Sequence, residues 1–219
     1  MESEAGSDLA PRENAIVYVI DDDDSLRFAL TTLLRSAGFS VFAFERTESF
    51  VELPKADVPS CLLLDVRLRG ESGLAFQREL RKQKVQMPVI FLTAHGDIDM
   101  SVQAIKEGAA DFLVKPVKDQ RVIDAVVAAL KDDASSRALR HTQNELRVRY
   151  ESLTPRERDV ILQVAAGLMN KQIAAEMSLS EITIKFHRSS AMRKMEAASI
   201  TSLIRMLEAL GVLSELRIA

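Results

Sequence analysis

Cysteine, aromatic residues and long apolar runs are all scarce in this sequence of 219 residues. The single cysteine, Cys61, excludes an internal disulfide, and its place inside an apolar run is typical of a buried thiol in a reducing compartment. No run approaches the roughly 20 apolar residues needed to cross a bilayer. Residues 1–14 contain no apolar segment of a secretion signal. We therefore expect a soluble, cytoplasmic protein without a membrane partner.

Charge is divided unevenly along the chain, which is long enough for two domains with separate cores. Residues 1–131 contain 16 Lys and Arg against 21 Asp and Glu, whereas residues 152–219 contain nine against seven. Residues 132–151 are balanced at four against four, so the net charges of −5, 0 and +2 add to the −3 of the whole chain. A weakly basic end permits nucleic-acid binding but does not establish it.

Four short apolar runs each end in residues that can take part in chemistry. Each run has the continuous apolar character of a strand buried on both faces. The runs with their following residues are Ile16–Ile20 with Asp21 and Asp22, Cys61–Leu64 with Asp65, Pro88–Leu92 with Thr93, and Phe112–Val114 with Lys115. One such Asp alone is better interpreted as a residue that opens a loop. Because the carboxyl ends of parallel strands meet at one edge of a sheet, four together predict a site there.

Strand and helix patterns alternate through the first 130 residues. The predicted elements, strand first, are Ile16–Ile20, Ser25–Ser36, Val41–Phe44, Thr47–Leu53, Cys61–Leu64, Gly73–Gln83, Val89–Leu92, Ile98–Glu107, Asp111–Val114 and Asp119–Leu130. This alternation predicts an α/β, doubly wound five-stranded parallel sheet with helices on both faces.

Four consecutive acids follow the first predicted strand. Asp24 is expected to cap the first helix with its carboxylate. The other three would repel one another at the end of a buried strand unless a cation collected them. Oxygen-only ligands favour a hard ion, Mg²⁺ or Mn²⁺.

Residues 132–152 are polar and contain neither Gly nor Pro, which indicates a continuation of the fifth helix or a separate helix. Leu139, Leu146 and Leu153 recur at a spacing of seven. Three such positions are too few for a coiled coil, so a short helix packed on its own domain is the simpler interpretation.

The last 67 residues contain helix signals and no convincing strand. Thr154, with Pro155 and Glu157 behind it, has the pattern of a capping box. Two helices then follow, Lys171–Met177 and one from Glu181, separated by a turn of about three residues, which is typical of helix-turn-helix. We expect Ile182, Ile184 and Met195 to face the core, which a final helix at 199–210 closes through Leu203, Ile204 and Leu207. The predicted architecture is an all-α four-helix domain.

Two sets of motifs resemble known families. The segments I-V-Y-V-I-D-D, C-L-L-L-D-V, F-L-T-A-H-G-D and D-F-L-V-K-P-V resemble the flavodoxin-like receiver domain of two-component response regulators. The segments L-T-P-R-E-R-D-V, A-G-L-M-N-K-Q-I-A and S-E-I-T-I-K-F-H resemble the LuxR-type DNA-binding domain. Together they resemble a response regulator of the FixJ/NarL type. This implies a flexible acidic tail at 1–14, a receiver at 15–131, a helical linker at 132–152 and a LuxR-type domain at 153–219.

The resemblance assigns roles to residues at the sheet edge. Asp65 would accept a phosphoryl group from a sensor histidine kinase. Asp21 and Asp22 would hold Mg²⁺ together with Asp65 and the backbone carbonyl of Arg67. Lys115 would pair with the phosphoryl group, whose equatorial oxygens carry charge during transfer.

The resemblance also implies a switch. The Thr93 hydroxyl would follow the bound phosphoryl group, and Phe112 would rotate inward, although an ordinary core role for Phe112 is an equally good interpretation. A cis peptide bond is implied between Lys115 and Pro116. Two positions depart from the family pattern, because Arg69 stands in place of a Pro and Val117 in place of a Phe. We further hypothesise that Arg67 and His95 screen the phosphoryl group from water; the alternative is that both are solvated loop residues.

Family geometry places the helix Glu181–Lys194 in the major groove of double-stranded DNA. Each Lys or Arg there has a solvated surface as its alternative role. The residues expected to face base edges are Lys185, Phe186 and Ser189, and those expected to approach phosphates are Lys171, Thr183, Arg188 and Lys194.

The sequence therefore predicts a transcription factor whose phosphorylation drives homodimer formation and DNA binding, with RNA polymerase as a further partner. It would assist its own phosphorylation and dephosphorylation but have no separate substrate. The dimer could form through the fourth helix and fifth strand or through the first and fifth helices. A Mg²⁺-dependent phosphatase would leave the helix-turn-helix unexplained, and a small-ligand sensor has little aromatic pocket lining, with two Tyr and no Trp.

Overall fold

The computed structural model describes residues 14–94 and 98–213. The chain divides into two compact units, with the boundary between Arg137 and Ala138. Except for Asn14, the predicted acidic tail lies outside the described residues. Among the helices that the structure describes, none is both long and apolar enough to cross a membrane.

The first unit is built on a five-stranded parallel sheet. The five strands of this sheet are β1 (Ile16–Ile20), β2 (Ser40–Phe44), β3 (Ser60–Asp65), β6 (Val89–Thr93) and β7 (Asp111–Val114), and the two-residue strands β4 (Arg67–Leu68) and β5 (Glu71–Ser72) form a separate pair. The helices are α1 (Asp24–Ser36), α2 (Thr47–Glu52), α3 (Gly73–Lys82), α4 (Ile98–Lys106) and α5 (Asp119–Glu151). The sheet order β2-β1-β3-β6-β7 confirms the predicted doubly wound α/β fold.

Strand β3 is the centre of this unit, since every one of its residues is buried. Alternate side chains enter different cores, as the period of two of a strand requires. Cys61 and Leu63 belong to the core that contains α1 and α5 residues. Leu62 and Leu64 belong to the core that contains α3 and α4 residues. Burial on both faces is the reason that this strand reads as an unbroken apolar run.

A short hairpin that the sequence did not predict follows β3. Its strands β4 and β5 pair antiparallel, Arg67 with Ser72 and Leu68 with Glu71. Gly70 lies in the turn with φ +85°, which is a conformation that glycine adopts without strain.

Helix α5 runs without interruption from Asp119 to Glu151, so the continuation of the fifth helix, one of the two alternatives predicted for the linker, is confirmed and the separate short helix is wrong. Buried Asp133 fastens α5 to the sheet, because its Oδ2 accepts hydrogen bonds from the Ser60 N–H at 2.9 Å and from Arg137 Nε at 2.6 Å. Leu139 is 68% exposed, so it does not pack on its own domain as the simpler interpretation of the linker expected.

The second unit contains α6 (Pro155–Ala165), α7 (Asn170–Met177), α8 (Glu181–Lys194) and α9 (Ile200–Ala209). The capping box is confirmed, with Thr154 N–H donating to Glu157 Oε2 at 2.8 Å and Glu157 N–H to Thr154 Oγ1 at 3.3 Å.

Three apolar residues of α8 were predicted to face the core of the second unit. Ile184 and Met195 are fully buried, as predicted. Ile182 is 79% exposed, so that prediction is wrong. Positions 182 and 184 differ by about 200° around a helix and cannot share one face.

Candidate functional site

Four strands bring their terminal polar residues to one edge of the sheet. Asp21 follows β1, Asp65 and Thr93 end β3 and β6, and Lys115 follows β7. The Lys115 ammonium nitrogen lies 2.8 Å from Asp65 Oδ2 and 2.9 Å from Asp21 Oδ2. These strands are neighbours in the sheet, which explains how residues up to 94 positions apart meet.

The cluster is buried at its base and open above. Asp21 is fully buried, while the Asp65 side chain is 12% exposed. Burial raises the pKa of Asp21, against the opposing effects of Lys115 and the Asp23 N–H. Burial by itself would lower the pKa of Lys115, but hydrogen bonds to Asp21 and Asp65 outweigh it and raise that pKa. Lys115 therefore holds a positive charge between two carboxylates.

The acidic residues at this edge fit a hard metal ion. Asp21, Asp22 and Asp65 each offer a carboxylate oxygen, and these oxygens lie within 4.8 Å of one another. An all-oxygen donor set of this kind suits Mg²⁺ or Mn²⁺. The grouping matches the three carboxylates predicted as ligands.

Asp23 and Asp24 have roles that differ from those predicted. Asp23 caps α1, because its Oδ1 accepts hydrogen bonds from the N–H groups of Ser25 at 2.9 Å and Leu26 at 3.1 Å. The prediction that Asp24 is the cap is therefore wrong. The helix begins one residue earlier than expected, so Asp24 is its first residue and pairs with Arg27.

Arg67 lies beside Asp65, and its N–H donates to Asp65 Oδ1 at 3.1 Å. The role of its carbonyl as a metal ligand stays a prediction. Its exposed side chain suits the hypothesis of a screen against water. The other half of that hypothesis, His95, lies outside the described residues.

Thr93 and Phe112, the predicted switch residues, occupy neighbouring strands. Thr93 is buried, and its carbonyl accepts a hydrogen bond from the Lys115 N–H at 2.7 Å. Phe112 is half-buried, and its ring centroid lies 6.3 Å from that of Phe91. The predicted cis peptide bond between Lys115 and Pro116 is confirmed.

Two residues of the hairpin region contact the cluster without having been predicted. Arg69 Nε lies 3.2 Å from Asp22 Oδ2, so the residue that stands in place of the family pattern's Pro pairs with a carboxylate of the acidic cluster. A Cβ on Gly73 would lie 2.2 Å from the Asp65 carbonyl oxygen, so only glycine fits there. In sequence, Gly73 indicated no more than the start of a helix.

In the second unit, α8 presents the residues predicted to face base edges. Lys185 and Ser189 are exposed, and Phe186 is 70% exposed. Lys171, predicted to approach phosphates, is exposed on α7. These four side chains are accessible to a macromolecular partner of this unit.

The other predicted phosphate contacts have partners within the unit. Thr183 Oγ1 lies 2.8 Å from Ser180 Oγ, and Arg188 NH1 donates to Asn170 Oδ1 at 2.8 Å. Both are half-buried rather than hidden.

Lys194 differs from these residues, because its ammonium nitrogen lies 2.7 Å from Oε2 of the buried Glu157 and 3.3 Å from the Ser152 carbonyl oxygen. It fastens the end of α8 to the capping box of α6, which its place in the sequence did not reveal.

Family models match both units. Residues 17–127 match the response regulator receiver domain, and residues 151–207 match the luxR family of bacterial regulatory proteins.

Relatives match most of the chain. Nodulation protein W of Bradyrhizobium diazoefficiens is 50% identical over 198 residues, which cover 90% of this chain and 87% of that protein. The transcriptional regulatory protein FixJ of the same organism is 36% identical over 199 residues, covering 91% and 97%. The solved structure of the response regulator StyR has 42% identity and a TM-score of 0.83, and the match covers 89% of this chain and 98% of that one.

Proposed function

Because the chain belongs to the transcriptional response regulators that join a receiver domain to a LuxR-family DNA-binding domain, we propose that Asp65 accepts a phosphoryl group from a sensor histidine kinase. The observation that carries the proposal is the Lys115 ammonium held between Asp65 and Asp21 at the open edge of the sheet.

In the proposed reaction, a carboxylate oxygen of Asp65 attacks the phosphorus of a phosphohistidine. The P–O bond forms as the P–N bond breaks, and the imidazole nitrogen leaves with the electron pair of that bond. Lys115 offsets the negative charge that would otherwise repel the phosphoryl group. Asp21, Asp22 and Asp65 would hold the Mg²⁺, which when bound supplies further neutralisation of the phosphoryl oxygens.

The new phosphate would add about 1.5 to 2 negative charges and several acceptor oxygens beside Thr93. We propose that the Thr93 hydroxyl moves toward it and that Phe112 then turns further into the core. The half-buried position of Phe112 supports this, since the ring has both core and surface beside it.

Dimer formation is proposed through the face formed by α4 and β7. Val102 and Ile105 on α4 and Val114 on β7 are each close to half exposed, at 45%, 47% and 48%. Phe112 lies on the same strand, so a change there reaches this face directly. Sedimentation velocity of the phosphorylated protein tests the proposed dimer interface on α4 and β7. We expect Ile105→Glu to prevent the dimer, with Phe28→Ser, an exposed position on α1, as the matched control. Loss of the dimer in the control alone would favour the α1–α5 alternative.

In the proposed complex with double-stranded DNA, α8 lies in the major groove. The residues of α8 that face base edges would be Lys185, Phe186 and Ser189. The phosphate contacts would come from Thr183 and Arg188 of α8 and from Lys171 of α7. Lys194 is given a structural role on account of its pairing with Glu157.

The proposed domain boundaries remain 15–131 for the receiver, 132–152 for the linker and 153–219 for the DNA-binding domain. RNA polymerase would be the partner of the DNA-bound form, as the family's role in transcription suggests.

Acetyl phosphate tests the phosphorylation site. We expect the mass of the intact chain to rise by one phosphoryl group in the presence of Mg²⁺ and to stay unchanged with a chelator. Asp65→Asn should abolish the adduct, and Asp159→Asn, an exposed position on α6, should leave it intact. An undiminished adduct in Asp65→Asn would refute the assignment.

A further inference from the structure

Two large apolar side chains stand in water on α8. Ile182 is 79% exposed and Phe186 is 70% exposed. They are four positions apart, so they lie on one face of the helix about one turn from each other. The core of the unit does not need them, because Ile184 and Ala191 supply fully buried side chains from another face of the same helix. An isoleucine that is 79% exposed contributes little to the core of the unit.

Basic groups flank this apolar pair. Lys185 and Arg193 are exposed on α8. Glu181, the one acidic residue of α8, is paired with Lys185 at 3.4 Å. A face that combines apolar side chains with surrounding positive charge is complementary to a duplex, whose phosphates flank the groove. A second protein whose apolar patch lacked an acidic rim would gain nothing from these charges.

Thymine supplies the apolar surface that this pair would meet. Its C5-methyl group projects into the major groove, where apolar side chains distinguish it from the other bases. The N-terminal residues of a recognition helix are those that reach base edges, and Ile182 is the second residue of α8.

Resting on the proposed DNA binding, we propose that Ile182 is a specificity-determining residue, and that Ile182 and Phe186 each contact the methyl group of a thymine. Four residues rise about 6 Å along a helix, which is close to two base-pair steps of about 3.4 Å. The two thymines are therefore expected about two base pairs apart in each half-site.

The test uses the full-length chain after phosphorylation by acetyl phosphate in the presence of Mg²⁺, because DNA binding is proposed for the phosphorylated form. Binding sites are first selected from a random duplex library with the wild-type protein. Each thymine of the selected site is then replaced by deoxyuridine, which lacks the methyl group and keeps the same hydrogen-bonding edge. We expect two positions in each half-site to weaken binding about fourfold, the value of one buried methyl group.

Variants assign each thymine to a side chain. Ile182→Ser should abolish the uracil penalty at one of the two positions, and Phe186→Ser at the other. Because both side chains are exposed, neither change should alter the fold, which circular dichroism checks. Ile200→Ser is the matched control, since Ile200 is 39% exposed at the start of α9, off the recognition helix, and this variant should keep both penalties.

The possible failures are distinguishable. If the wild-type chain selects no sequence, the proposed DNA binding and this inference both fail. If it selects a site whose affinity is insensitive to uracil, DNA binding stands and the inference is overturned. An Ile182→Ser variant that keeps both penalties, or that loses self-association instead of base preference, also overturns it and indicates a protein-facing role.

Discussion

The ion pair between Glu157 and Lys194 predicts a measurable dependence of the second unit on one buried charge. Burial would raise the pKa of Glu157, but hydrogen bonds from Lys194, Ser190 and Thr154 overcome this and lower the pKa from 4.5 to about 2. At about 1.36 kcal/mol per pKa unit, a shift of that size corresponds to at most about 3.4 kcal/mol of stabilisation of the folded second unit. Because the Lys194 side chain is 32% exposed, water screens the pair, and we expect the ion pair to contribute about 1 to 2 kcal/mol to the stability of the unit.

Glu157→Gln isolates the charge from the cap. Glutamine also serves at this position of a capping box, so the hydrogen bond to the Thr154 N–H is retained while the ion pair is lost. Hydrogen exchange with mass spectrometry on the full chain reads the opening of α6. A loss of about 1 to 2 kcal/mol should raise the exchange rates there roughly 5- to 30-fold at neutral pH.

The matched control is Glu181→Gln, which removes the exposed pair between Glu181 and Lys185 and should change exchange by no more than about twofold. The pKa of Glu157 is depressed in the folded state, so its contribution is complete above about pH 4.5 and is lost as the pH falls toward 2. The difference between wild type and Glu157→Gln should narrow through that window. Equal effects of Glu157→Gln and the control at neutral pH would refute this reasoning.

The variant Lys194→Met distinguishes a structural role of Lys194 from a role in contacting DNA. If the residue is structural, Lys194→Met lowers protection of α6 while the salt dependence of DNA binding by the folded protein keeps its slope. If Lys194 also contacts a phosphate, that slope falls by about one.

Three further changes test the first unit. Gly73→Ala places a Cβ 2.2 Å from the carbonyl oxygen of Asp65, the proposed phosphoacceptor. We expect the variant to lose about 1 to 3 kcal/mol of unfolding free energy in thermal unfolding and to bind Mg²⁺ more weakly in calorimetry. A variant as stable as wild type would contradict the close approach. Asp23→Ala should destabilise α1 by about 1 kcal/mol in hydrogen exchange, whereas Asp24→Ala should have a smaller effect, and the reverse order would restore the original assignment of the cap. Arg69→Ala removes the ion pair with Asp22 and a positive charge beside the proposed metal site. Calorimetry should therefore show Mg²⁺ binding that is about two- to threefold tighter than in wild type. Weaker Mg²⁺ binding would mean that Arg69 supports the site.

Much of the first unit could be predicted because its signals are local. The apolar runs that end at Asp65 and Thr93 mark strands, and parallel pairing alone brings their ends together. The long-range contacts could not be predicted in this way. The pairing of Arg69 with Asp22 depends on a hairpin of two-residue strands, which is too short to produce a period in the sequence.

Offsets of a single residue account for other errors. Asp23 and Asp24 are equally good caps by composition, and the choice between them depends on where the first turn of α1 closes. Ile182 was assigned to the core for its chemistry, although its angular position excludes it.

The attachment of α5 to β3 decides where the receiver can be separated from the rest of the chain. The receiver match ends at residue 127, yet the Ser60 N–H at the buried start of β3 depends on Asp133, and Arg137 completes that contact. A fragment cut at the end of the match would lose this acceptor together with the buried core residues Ala129 and Leu130, so we expect it to be less stable than one that ends at Arg137. A fragment that retains Arg137 keeps β3 tied at the end opposite Asp65, so a piece that ends at or beyond residue 137 is the one to choose for isolated study of the receiver.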